Sequence, residues 1–217
     1  MGMPALKRPR HGHNAYYHDY VLGQLPPRLE RALDVGCGSG AFARQLAARA
    51  AAVDAIDLSA EMVAEAAASD AALSNVAWIQ GDVLRLDLPI AGYDVVTAIA
   101  SLHHMPLDRA LSRLGALVRP NGMLVILGLY RPIRIADYAL NAIATIVDPF
   151  GCGRKTDPRM PVCKPTTSLA EITRAAALHL PGAQIRRHLF YRYSLTWERP
   201  RSRRATSRTS GPQTVRR

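Results

Sequence analysis

Four short stretches of this chain hold residue types that can do chemistry. The first is Asp34-Val35-Gly36-Cys37-Gly38-Ser39-Gly40, three glycines at spacing two behind an apolar run. Glycine is required where the backbone takes a positive φ and where a ligand must come close to the main chain. A ligand at such a turn would meet backbone amides and the positive end of the helix that follows. The second stretch is Ala55-Ile56-Asp57-Leu58-Ser59. Its acid falls about 20 residues beyond the glycines, where a carboxylate can accept from both hydroxyls of a ribose. The third is Gly81-Asp82-Val83 and the fourth Ser101-Leu102-His103-His104-Met105. A histidine titrates near neutrality, so His103 or His104 could take a proton from an acceptor or simply shape a pocket. The first two stretches do not choose the ligand, because Gly36-x-Gly38-x-x-Ala41 with Asp57 also fits the relaxed dinucleotide fingerprint.

These stretches fall at the ends of alternating strand and helix signals, which predicts a parallel sheet covered on both faces. Arg31–Val35 reads as strand one with a helix over Gly40–Ala50, and Ala52–Ile56 as strand two. Ser59 caps a helix running to about Leu73. Val76–Gln80 and Tyr93–Ala98 read as strands three and four. Pro106 opens a helix to about Val118 that Pro120 stops, and Asn121-Gly122 turns into strand five, Met123–Leu129. Ile133–Val147 then reads as a helix with few charges and Asp148–Pro165 as a loop. Ser168 and Glu171 make a capping box for a helix to about Leu180. Gln184–Phe190 and Tyr191–Glu198 read as antiparallel strands, with Tyr191, Tyr193, Leu195 and Trp197 on one face of the second.

At 217 residues and 48% hydrophobic content the chain suits one globular domain. No stretch reaches the roughly 20 apolar residues of a membrane span. The net charge of +11 resembles a nucleic-acid signal until it is located. Residues 11–198 hold 18 basic and 17 acidic side chains, so the excess sits in two tails, 1–12 and 200–217. A nearly neutral body argues against a polyanion track. Cys37, Cys152 and Cys163 are an odd, scattered set, which predicts reduced thiols in the cytoplasm and no metal site.

Taken in order, the motifs resemble the class I S-adenosylmethionine-dependent methyltransferases, of the bacterial small-molecule type. Leu33-Asp34-Val35-Gly36-Cys37-Gly38-Ser39-Gly40 matches that family's first motif almost letter for letter. Asp57 stands at its ribose-binding acid and Gly81-Asp82-Val83 at its adenine contact. Tyr93-Asp94-Val95-Val96 leads to the Leu-His-His phrase, and Arg119-Pro120-Asn121-Gly122 introduces strand five, with Met123 where the family has a second glycine. The likeness covers residues 31–130. Tyr193–Pro200 resembles the family's last strand, and His13-Asn14-x-Tyr16-Tyr17-His18 more loosely its capping helix.

The resemblance implies an α/β, Rossmann-like doubly wound sheet of seven strands in the order 3-2-1-4-5-7-6, mostly parallel with an antiparallel last strand. It places this methyltransferase domain at 13–199, with an insertion at 130–165 covering the substrate. The implied cofactor is S-adenosyl-L-methionine. Gly36, Cys37, Gly38 and Gly40 would line its methionine part, with Asp34 near its ammonium group. Asp57 and Leu58 would take the ribose, Asp82 and Val83 the adenine, and Ala100 and Ser101 would sit near the sulfonium. Tyr17 and His18 would face a small, partly apolar substrate. The rivals are a nucleic-acid methyltransferase, a nicotinamide oxidoreductase and an inactive cofactor-binding module. The first lacks a polar-Pro-Pro-aromatic phrase or a cysteine after strand four, and the second leaves Asp82 and the later motifs unexplained.

Overall fold

The computed structural model describes residues 17–69, 73–133, 137–138 and 164–201. The expected tail 1–12 lies outside that set with residues 13–16, as do 202–217 of the expected tail 200–217 and most of the 130–165 insertion. Seven strands form one sheet in the order β3-β2-β1-β4-β5-β7-β6. They are β1 Leu29–Val35, β2 Ala50–Asp57, β3 Val76–Gln80, β4 Tyr93–Ile99, β5 Val118–Leu129, β6 Gln184–Arg187 and β7 Arg192–Glu198. The first five run parallel, and β7 is antiparallel to both β5 and β6. The sequence-based strand order is therefore the observed one.

Helices cover both faces. They are α1 His18–Gln24, α2 Ala41–Ala47, α3 Ala60–Ser69, α4 Leu107–Leu117 and α5 Leu169–His179, with a 3-10 turn at Leu102–His104. One core layer packs Leu111, Leu114 and Leu117 of α4 and Ile172 of α5 on Val96, Leu124, Ile126 and Leu195 of the sheet. The other packs Val21 of α1 and Phe42 and Leu46 of α2 on Ala32, Val53, Val95 and Val125. The central strands are buried on both faces, hence their near-continuous apolar runs. The capping box exists: Ser168 Oγ accepts from the Glu171 N–H, and the Ser168 N–H donates to the Glu171 carboxylate.

Two local expectations are corrected. The Asn121-Gly122 turn lies inside a longer β5. That strand pairs Val118 with Tyr93, loops out, and resumes pairing at Met123 with Val95, with Asn121 at φ 61°. Strand β6 also stops at Arg187 rather than Phe190, because Phe190 (φ 59°) and Tyr191 (φ 54°) make a left-handed corner. Both are β-forming residue types, so composition concealed the corner. Tyr191 consequently stands just outside β7, edge-on to Tyr130 at 6.4 Å, and still packs against the core layer that holds Tyr193, Leu195 and Trp197.

On the amino edge of the sheet, buried Asp94 accepts the Glu30 and Arg31 N–H groups at 2.7 Å each and pairs with Arg119. Asp54 accepts from Arg31 at 2.7 Å and from the Tyr93 hydroxyl at 2.6 Å. These carboxylates staple the edge opposite the chemistry.

Gly128 of β5 lies across from Tyr193, and a Cβ there would overlap the buried tyrosine ring. Gly128→Ala is expected to lower stability by about 1–3 kcal/mol, as overpacked cores do. Adding Tyr193→Leu should recover part of the loss. Urea denaturation measures both, and a Gly128→Ala variant as stable as wild type would contradict the packing.

Candidate active site

Parallel register brings the four stretches to one carboxyl edge. Val35 stands beside Ile56 on one side and Ala98 on the other, and Asp57 stands beside Gln80. The ends of β1, β2, β3 and β4 therefore open side by side, where open α/β sheets bind ligands.

The glycine turn is built from its neighbours. The N–H groups of Gly36 and Cys37 both donate to the Ile56 carbonyl, at 2.8 and 3.0 Å. The Gly38 N–H donates to Asp57 Oδ2 at 2.8 Å, and Asp57 Oδ1 accepts from the Ser59 N–H at 2.9 Å. Gly36, Gly38 and Gly40 all have positive φ. A Cβ on Gly36 would overlap Ser101, whose hydroxyl donates to the Val35 carbonyl at 2.6 Å. A Cβ on Gly40 would meet Trp78 at 2.5 Å. The first three amides of the turn are thus spent on β2, and α2 is a single short helix of 7 residues. What this turn offers a ligand is close approach, rather than the free amides that the sequence suggested.

Asp34 is buried at the base of the turn, with its Oδ1 accepting from the Thr97 hydroxyl at 2.9 Å. Its Oδ2 is buried without a hydrogen-bond partner. Burial, only partly offset by Thr97, pushes this carboxyl up to about 7. Asp82 Oδ1 accepts from the Leu84 N–H at 2.9 Å, and Val83 is buried behind it. Leu58 is 71% exposed beside Asp57. Ala100 holds a left-handed φ of 53°, a costly conformation for a residue with a Cβ, and its N–H donates to the Leu127 carbonyl.

His103 follows on the 3-10 turn, its ring 4.1 Å from that of His104. Its Nδ1 is buried without a partner. Burial first, then the nearby charges of His104 and Arg192, push the imidazole down to about 4. Tyr17 is brought to the β6–β7 corner, its hydroxyl donating to the Leu189 carbonyl at 3.3 Å and its ring under Arg192. His18 turns instead toward α2, with Nδ1 3.0 Å from Gln45 Nε2 and its ring edge-on to Phe42. Sequence reasoning missed Thr97 and Trp78. Neither carries a motif, and only strand register places them against Asp34 and Gly40.

The donor set suits S-adenosylmethionine. An unpartnered buried carboxylate oxygen awaits a cation, a glycine cradle has no room for a Cβ, and two further carboxylates line the same edge. Among the described residues no group of three His, Cys, Asp or Glu side chains could hold a metal ion.

The comparisons agree with this geometry. The family model of a methyltransferase domain matches residues 32–122. An uncharacterized methyltransferase of Mycobacterium bovis is 34% identical over 195 residues, 86% of this chain and 96% of that protein. The ubiquinone biosynthesis O-methyltransferase of Neisseria meningitidis is 43% identical over 119 residues, 52% of this chain and 50% of its own length. Among solved structures, an S-adenosylmethionine-dependent methyltransferase of Mesorhizobium loti superposes with a TM-score of 0.62 at 18% identity, covering 83% of this chain and 96% of that one. The geranyl diphosphate C-methyltransferase of Streptomyces coelicolor does so with a TM-score of 0.62 at 14% identity, covering 85% and 77%. This chain belongs to the class I S-adenosylmethionine-dependent methyltransferases, and S-adenosylmethionine is its cofactor.

Asp34 and His103 shift stability in opposite directions over overlapping pH windows. Between about 4 and 6.5 the unfolded chain protonates His103 while the folded chain does not, so stability falls as pH drops through that range. Between 3.8 and about 7 the folded chain keeps a proton on Asp34 that the unfolded chain has lost, so stability falls as pH rises through that range. Asp34→Asn is therefore expected to melt higher than wild type at pH 8 and about equally at pH 4. Thermal unfolding at the two pH values checks this, and equal melting at both would contradict the burial of Asp34.

Proposed function

We propose that this enzyme transfers a methyl group to a small, partly apolar acceptor entering at the carboxyl edge between Tyr17 and the 130–165 segment. The single observation that carries the reading is where exposed apolar side chains stand. Ile133 (59% exposed) and Tyr138 (54% exposed) belong to that segment, and Tyr138 packs edge-on against Tyr191, which in turn meets buried Tyr130. A relative named for O-methylation in ubiquinone biosynthesis fits an acceptor of this kind. The body of the domain, 13–199, carries almost no net charge, which disfavours nucleic acid as the acceptor. The odd cysteine count, with Cys37 a buried free thiol, supports a cytoplasmic setting. No helix of the described residues is long and apolar enough to cross a membrane.

When bound, the cofactor supplies an electrophilic methyl group on a sulfonium. In this reading Asp57 and exposed Leu58 hold the ribose, while Asp82 and Val83 meet the adenine. Asp34, its Oδ2 otherwise unsatisfied, takes the positively charged methionine end. Gly36 and Gly38 give close approach along the turn, with Cys37 and Gly40 completing its wall. Ala100 and Ser101 bound the side nearest the acceptor. His103 is too weakly basic to remove a proton well at neutral pH. Its neutral imidazole instead accepts a hydrogen bond and orients the nucleophile, so that positioning supplies most of the rate. His104 packs against it as support.

Calorimetric titration with S-adenosylhomocysteine, followed by a screen of phenols, hydroxy acids and terpenoid acceptors with labelled S-adenosylmethionine, tests the proposal. Binding of S-adenosylhomocysteine but not NAD, and label transfer to an apolar acceptor, are the expected results. Transfer only to oligonucleotides would overturn the acceptor class. Asp57→Ala is expected to weaken S-adenosylhomocysteine about ten- to a hundredfold, since it removes both the ribose contact and the anchor of Gly38. Asp57→Asn, which keeps an acceptor, should lose less, and unchanged affinity in both variants would refute the ribose assignment.

A further inference from the structure

The turn that carries Asp82 and Val83 is wound by its own first residue. Asp82 Oδ1 accepts from the Leu84 N–H, and the Asp82 carbonyl accepts from the N–H groups of both Arg85 and Leu86 at 2.9 Å. Leu86 folds back so that its methyl groups would stand 2.9 Å from a Cβ on Gly81. This winding uses the turn's donors and leaves carbonyls facing inward. Arg113 takes two of them: its Nε donates to the Val83 carbonyl at 3.2 Å and its Nη2 to the Leu86 carbonyl at 2.6 Å. Val83 is 4% exposed, and a buried carbonyl without a donor is costly. One planar guanidinium edge serves two carbonyls from two N–H bonds fixed in a rigid fork, a geometry that an ammonium group on a flexible stem does not hold. Arg113 projects from α4 between residues Ala110, Leu111, Leu114 and Leu117, all buried against the sheet. The turn is therefore referenced to the core and not only to its own hydrogen bonds.

We infer that Arg113 is a positioning residue for the adenine end of the cofactor site, holding the Asp82–Leu86 turn so that Asp82 and Val83 meet the base in one arrangement. The inference rests on reading those two residues as the adenine contacts. A merely structural staple would change melting temperature. A positioning residue also changes how well the site tells one base from another, because that discrimination depends on where Asp82 and the Val83 N–H stand. Arg113 further lines an open cavity of about 460 Å³ with Leu84, Ser112 and Ala116, so the space vacated by truncation connects to solvent.

The test is calorimetric binding of S-adenosylhomocysteine and of S-inosylhomocysteine, which differs only at the base, to the full chain. Wild type, Arg113→Ala and Arg113→Lys are compared, with melting temperatures alongside. Wild type is expected to prefer the adenine compound. In Arg113→Ala that compound should bind about tenfold more weakly, the equivalent of one lost charged hydrogen bond, while the inosine compound changes little. Arg113→Lys should fall between, having charge but no fork. Added ethylguanidinium, but not ethylammonium, should restore the preference in Arg113→Ala. Variants that keep the wild-type preference and lose only melting temperature would overturn the inference while leaving the cofactor reading intact. Wild type failing to bind S-adenosylhomocysteine, or binding both compounds equally, would overturn the reading of the site and the inference with it.

Discussion

The structure depends on the end of β2 holding the glycine turn that leaves β1. The Ile56 carbonyl takes two amides of the turn and the Asp57 carboxylate takes a third. With those bonds made, Gly36 presses against Ser101 so closely that no side chain fits between them. The ends of three strands are thereby fixed together by backbone hydrogen bonds, one carboxylate and one hydroxyl. Asp57 thus shapes both its own strand end and the glycine turn, because one carboxylate has two acceptor oxygens: one takes the Ser59 N–H and the other the Gly38 N–H.

Electrostatics around this turn is set by burial. Asp34 sits beneath it with one oxygen on Thr97 and the other unsatisfied, and water exclusion favours its neutral form. On the far side His103 is also driven neutral by burial, helped by His104 and Arg192. Near neutrality Asp34 therefore holds its proton far more readily than an exposed carboxylate, while His103 is neutral.

A second, more polar layer closes the β5–β7 side. Tyr20 of α1 and His188 both hydrogen-bond Ser194 of β7, at 3.1 and 2.8 Å, and their rings meet edge-on. Buried hydroxyls and imidazoles must find partners, so this network fixes how α1 lies on the sheet. Nearby, Asp137 pairs with Arg187 at 2.9 Å, and Arg187 lies over the Tyr130 ring. Both features tie together segments distant in sequence.

Through the family resemblance that its motifs carry, the sequence implied the strand order; by itself it determined the alternation of strands and helices, the capping box and the four stretches that gather at the carboxyl edge. These rest on local signals: apolar runs, glycine spacing, cap residues and acids at strand ends, each readable within about ten residues. Tertiary structure alone decided what those residues do with their hydrogen bonds. Glycine spacing cannot reveal that the turn's amides go to Ile56 and Asp57, because the acceptors belong to another strand. Nor can it show that Thr97 meets Asp34, that Trp78 covers Gly40, or that Arg113 holds the turn after β3. Phe190 and Tyr191 look like strand residues, yet the pairing of β6 with β7 bends them into a left-handed corner. Long-range pairing brings each of these contacts into being, and no local pattern records it.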